Sequence, residues 1–302
     1  MGSIITELRE KFRRGDVCLQ LIYINVGVFV LVQLAQVLLM LFNRQLGDVL
    51  LWLELPASFV RWVVQPWSLV TYMFLHVGWM HILFNMLWLY WFGQLFLHFF
   101  SARHLLGLYV LGGLCGGALY MLAFNVFPYF RQSVDYAFLL GASASVLAIV
   151  MAPAYRAPNF TVRLFLFGNV RLKYLALATI LLDLLLITSG NAGGHIAHLG
   201  GALAGLWFAV GLSKGHDRTA WINRVLDALK SLVRPGRRKP KMKLRYGGGG
   251  GSTAGRQQDY DYNARKKARE EEVDCILEKL KKSGYESLTA DEKKTLFDAS
   301  KR

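Results

Sequence analysis

The 302-residue chain is 54% hydrophobic and 18% charged, with a mean hydropathy of +0.32 and a net charge of +15. That is too apolar for an ordinary soluble protein. Lys and Arg crowd the first 14 positions and the last 90, directly beside apolar runs, so the charge points to anionic lipid headgroups and membrane topology, and nucleic-acid binding is not expected.

Crossing the hydrocarbon core takes roughly 20 apolar residues. Six stretches meet or approach that length: 18–42, 80–100, 105–127, 137–154, 174–188 and 195–212. The first is too long for a signal-peptide core and lacks a small-residue cleavage site after it, so it reads as a retained helix. Basic residues set the orientation. Arg9, Lys11, Arg13 and Arg14, then Arg103, then Arg156, Arg163, Arg171 and Lys173, and the basic tail fall on one side. The other side holds Arg44, Arg61 and Arg131, offset by Asp48, Glu54 and Asp135, and the 189–194 connection is uncharged. Both termini are therefore predicted cytoplasmic. The long 44–75 connection carries Phe59, Trp62, Val63, Val64, Trp67 and Leu69. It reads equally as an interfacial structure with belt tryptophans or as a lid packed on the protein.

The predicted fold class is an all-α membrane protein with a small helical tail. Its divisions are a cytosolic N-terminus over 1–16, a six-helix domain over 17–214, a basic juxtamembrane and Gly-rich linker over 215–258, and the cytosolic tail over 259–302. Gly247–Gly251 with Ser252 forms the flexible part of the linker. In the tail, Val273, Ile276, Leu277 and Leu280 share one helical face, Gly284 reads as a stop, and Thr289 to Glu292 has the form of a capping box. So few apolar residues make a marginal fold, and a cytosolic partner for the tail is expected. Cys18, Cys115 and Cys275 are scattered, with neither a disulfide framework nor metal-ligand spacing. No metal or cofactor is expected.

Polar residues within membrane helices are costly and call for a reason. The second span has His76, His81 and Asn85, the last two four apart on one face. The fourth opens with Gly141-Ala-Ser143-Ala-Ser145, and the sixth contains His195, His198, Gly201 and Gly205. With the N-terminus inside, spans two, four and six run in the same direction, and these groups fall at similar depth near the outer face. His198, Gly201, Ala202 and Gly205 share a face of small residues that admits a neighbouring backbone. Ser143 follows Gly-Ala at a helix start, where free N–H groups and the positive dipole end can stabilise an oxyanion. Singly, each has a plainer reading: a membrane serine usually bonds its own backbone, and Gly/Ala stripes are ordinary packing. Together they supply a nucleophile, a base and two donors.

These residues resemble the rhomboid intramembrane serine proteases, over the membrane unit and most tellingly between Trp67 and Leu212. The likeness rests on His76-x4-His81-x3-Asn85, on Gly141-x-Ser143 and on Ala197-His198-x-x-Gly201-x-x-x-Gly205. It implies a six-transmembrane-helix rhomboid bundle, with Ser143 as nucleophile and His198 as general base in a dyad without a carboxylate. It further implies an oxyanion hole of His81, Asn85 and the Ser143 N–H, braced by His76. His198 rather than His195 has Gly at plus three and plus seven, and Ser145 lacks the preceding Gly of Ser143. Asp183, in span five, is expected to cap its helix or face water. Ala144 after the nucleophile, Leu147, and Ser68 after Trp67 depart from the best-known pattern.

The resemblance thus implies an endopeptidase that cuts transmembrane segments of membrane proteins near the outer leaflet, in a bacterial inner membrane. The alternative is a weak or inactive relative that binds membrane-protein clients, although such relatives usually lack the Ser or the His. A small-solute transporter would show repeated halves, and no repeat is present.

Overall fold

The computed structural model describes residues 16–44, 46–164, 168–233, 267–268 and 272–300. Arg9, Lys11, Arg13, Arg14 and the Gly247–Gly251 linker lie outside these. The chain divides into two units, Met1–Pro235 and Gly236–Arg302.

The first unit is an all-α membrane bundle. Its main helices are α1 (Val17–Leu41), α2 (Trp79–Phe99), α3 (Ala102–Val126), α4 (Ser143–Arg156), α5 (Leu172–Leu185), α6 (Ala192–Ser213) and α7 (Ala220–Val233). Among the described residues, α1, α2, α3 and α6 are long and apolar enough to cross a membrane. Helices α4 and α5 have 14 residues each, about 21 Å at the α-helical rise.

The structure starts α4 at Ser143, not near 137. A non-local pairing takes the preceding residues: β1 (Leu55–Pro56) and β2 (Phe138–Leu139) lie antiparallel, with Leu55 opposite Leu139. Gly141 then turns the chain at φ +124°, its N–H donating to the Tyr72 carbonyl at 3.0 Å. The 44–75 connection is correspondingly half anchored. Leu55, Ala57, Tyr72 and Met73 are buried, the Tyr72 hydroxyl donates to the Gly113 carbonyl, and Thr71 Oγ1 donates to the Leu53 carbonyl. Phe59, Val60, Val63, Val64 and Trp67 are exposed. The segment is both docked and apolar on its outside.

Helices α3, α4 and α6 pack backbone to backbone. A Cβ at Gly201 or Gly205 would strike the carbonyl oxygens of Ala144 or Ala148 on α4, and one at Gly112 would meet the Ala148 side chain. Glycine lets the three helices close up, which in a membrane replaces the missing hydrophobic drive between helices with contact. Helix α1 is peripheral, tied to the bundle by Asn25, whose side chain reaches the Tyr109 hydroxyl. Its Leu31, Leu34, Leu38 and Leu41 are exposed, as a lipid-facing helix requires.

A hairpin of β3 (Thr161–Leu164) and β4 (Gly168–Arg171) joins α4 to α5. Past α6, Gly215 turns the chain at φ +79° and α7 lies on α3, burying Ile222 and Asn223 and pairing Asp227 with Arg103. An adjacent stripe of Trp221, Val225, Leu229 and Leu232 is exposed.

In the second unit a helix over 272–283 stops at Gly284, which has φ +75°. A second helix covers Ala290–Ser300. Its cap is reciprocal: the Thr289 N–H donates to Glu292 and the Glu292 N–H to Thr289 Oγ1. Ile276 and Leu288 are buried, while Leu277 is exposed.

Candidate active site

Ser143 is the first residue of α4. Gly141 before it is required twice over, by its positive φ and by space. A Cβ there would come within 2.9 Å of His81 Nε2, so the imidazole lies directly over the turn leading into Ser143. The opening turn of α4 leaves backbone N–H groups without intrahelical partners, aimed at this end of the bundle. Asn85, one turn after His81 on α2, is buried, and one amide hydrogen goes to the His81 carbonyl at 3.0 Å. The other remains for a ligand. His76 is buried and packs edge-on against His81, ring centroids 5.1 Å apart.

His198 comes from the second turn of α6, where its close neighbour is α4 through Gly201. Ser143, His81, Asn85 and His198 all line one cavity of about 500 Å³, whose remaining wall is mostly apolar and includes Met80, Phe84 and Leu147. Ser143 Oγ makes no hydrogen bond to His198; both open onto that cavity. Ser145 is turned the other way, wholly buried without a hydrogen bond towards Gly113 of α3. A second, more polar cavity adjoins the first, sharing His81, Leu140, Asn191 and Gly194 with it.

The reading of Asp183 needs correction. It neither caps its helix nor faces water: it is 7% exposed, and its Oδ1 lies 2.8 Å from His195 Nδ1 and 2.9 Å from His198 Nδ1. The signal was available. Helices α5 and α6 are joined by a short loop and so lie antiparallel, bringing the last turn of one beside the first turns of the other. His195 and His198, three apart, present one face to it. These three side chains hold their ligating atoms within 4.8 Å of one another, as a cation site would, but ordinary hydrogen-bond lengths already account for the spacing.

Residues 63–215 match the Rhomboid domain, and residues 257–302 match a family of unknown function, DUF6576. The chain is 31% identical over 214 residues to RHOMBOID-like protein 12, mitochondrial, of Arabidopsis thaliana; the alignment takes in 67% of this chain and 60% of that relative. The chain therefore spans about three fifths of the relative it matches. A bundle whose glycine-packed helices bring a helix-start serine, two histidines and an asparagine to one cavity, over the stretch that matches, leaves one assignment: this integral membrane protein belongs to the rhomboid family.

Proposed function

We propose that this chain is an intramembrane serine endopeptidase acting on transmembrane segments of membrane proteins. The observation that carries the reading is the single cavity lined by Ser143, His198, His81 and Asn85. In the proposed reaction, Ser143 Oγ bonds to the scissile carbonyl carbon as His198 Nε2 takes its proton. His81, Asn85 and the Ser143 N–H meet the oxyanion, with His76, Gly141, Gly201 and Gly205 supporting the geometry. The carbonyl–nitrogen bond then breaks as His198 returns the proton to the leaving amine. Water, for which the adjoining polar cavity offers a route, hydrolyses the acyl-enzyme by the same steps.

The proposed topology has six spans with both termini cytoplasmic, in a bacterial inner membrane, counting the short helices α4 and α5 as spans. Anionic lipids are proposed partners of the juxtamembrane stretch. The exposed Trp221, Val225, Leu229 and Leu232 of α7, beside Arg224 and Lys230, have the pattern of an interfacial helix. A cytosolic partner is proposed for the tail. One observation favours a second reading, a client-binding relative without activity: Ser143 is not hydrogen-bonded to His198, although such bonds often tighten only with substrate bound.

Purified protein in detergent, given a single-spanning substrate, decides between them. Cleavage lost in Ser143→Ala and in His198→Ala, with a fluorophosphonate labelling Ser143 and not Ser145, supports proteolysis. An inactive wild type that still binds the substrate supports the second reading.

A further inference from the structure

The reaction proposed above uses neither Asp183 nor His195, yet one oxygen of Asp183 is shared between two imidazoles. A carboxylate accepts and does not donate, so both Nδ1 atoms facing it carry protons. In a neutral His198 this leaves the lone pair on Nε2, the atom that must take the Ser143 proton. The opposite tautomer would present an N–H there and could not act as a base.

We propose that Asp183 is a positioning residue of this site: it accepts from His198 Nδ1, fixes that ring's tautomer and direction, and faces the positive charge that forms when Nε2 is protonated. His195 holds the same oxygen from its own side and keeps the carboxylate from swinging away. The arrangement makes the serine–histidine pair a three-member chain, its acid coming from α5, a helix that carries no other member of the constellation. Burial supports the role, because a carboxylate 7% exposed at the inner wall of an apolar cavity is costly without fixed donors, and here both donors are imidazoles. Among the described residues, the titratable groups around His198 are Asp183 from α5, His195 from α6 and His81 from α2.

The inference rests on the proteolytic reading, and its test keeps the two apart. Cleavage kinetics and thermal melting in detergent are measured for wild type, Asp183→Asn, Asp183→Leu, Asp183→Glu and Ser143→Ala. Loss of the corresponding carboxylate in a soluble serine protease costs about 10⁴ in kcat by leaving the wrong tautomer. We expect Asp183→Asn and Asp183→Leu to lower kcat at least about 100-fold with KM within about twofold, the fluorophosphonate labelling of Ser143 slowing in parallel, and Asp183→Glu to recover part of the loss. A mere α5–α6 staple would lower the melting temperature and leave kcat in place, and that outcome overturns the proposal. Should the variants fail to fold, the wild type still answers by proton NMR. Two far-downfield signals of carboxylate-bound Nδ1–H are expected, one removed by His198→Ala and the other by His195→Ala, and a wild type without the signal that His198→Ala removes overturns the proposal as well. Equal cleavage by wild type and Ser143→Ala would instead sink the proteolytic reading, and this inference with it.

Discussion

Gly201 of α6 rests directly on the carbonyl oxygen of Ala144 on α4, so close that no Cβ fits between them. The obstacle is backbone, which cannot rotate away as a side chain can. Overpacking a core costs typically 1–3 kcal/mol, and a rigid neighbour places Gly201→Val at the upper end. The same residue sets the α4–α6 spacing on which Ser143 and His198 depend, so activity should fall more than stability. Melting temperature and cleavage rate measured together check this; a variant with normal rate and lowered stability would mean that the spacing is not critical.

Asn85→Ala should lower kcat roughly 100- to 1000-fold, as loss of one oxyanion donor does elsewhere, with KM nearly unchanged. The charge that Asn85 would meet exists only in the transition state. Initial-rate kinetics separate the two constants, and a raised KM with unchanged kcat would make Asn85 a ground-state contact.

Where α6 turns into α7, Asp217 accepts from the Thr219 N–H at 2.8 Å and from its hydroxyl at 2.7 Å, with His104 Nε2 3.5 Å away on α3. Partial burial pushes the Asp217 carboxyl up, but the Thr219 bonds and His104 outweigh it and leave its pKa below the ordinary 3.8. A depressed folded value means that stabilisation is present above about pH 3.8 and fades as pH falls through the folded value. For so exposed a cluster the contribution is about 0.5 kcal/mol, or roughly 1–2 °C. Asp217→Asn should melt lower at pH 7 and converge on wild type only once the pH has fallen past the folded value, itself below 3.8; a gap constant with pH would refute the linkage.

Removing residues 247–302 should leave cleavage of a generic substrate in detergent within about twofold of wild type, since every group of the proposed reaction lies in the first unit. Complete loss of activity in a monodisperse truncation would make the second unit part of the working enzyme.

How far the sequence was legible depended on whether a relation was local. His81 and Asn85 on one face, the Gly201/Gly205 stripe and the Thr289–Glu292 cap follow from helical spacing, which the chain carries within a few residues. The start of α4 does not, because it is fixed by Leu55 and Pro56 pairing with Phe138 and Leu139 across more than eighty positions of sequence. Asp183 is legible only in part. Helical spacing puts His195 and His198 on one face and the short α5–α6 connection brings the end of α5 beside them, but which α5 side chain meets that face is set by the rotation of one helix against the other, which no local pattern carries.

The brevity of α4 bears on what such an enzyme would recognise. At about 21 Å it falls some 9 Å short of a hydrocarbon core of about 30 Å, and on the proposed topology, with the shortfall on the outer side, Ser143 would stand recessed. A peptide bond would then reach that serine only at one level beneath the lipid surface, whatever its neighbouring side chains. On the proposed function the protein is then a depth gauge. A substrate whose apolar segment is shifted by a few residues relative to the membrane boundary would be cut that many residues away, at a new sequence and an old height.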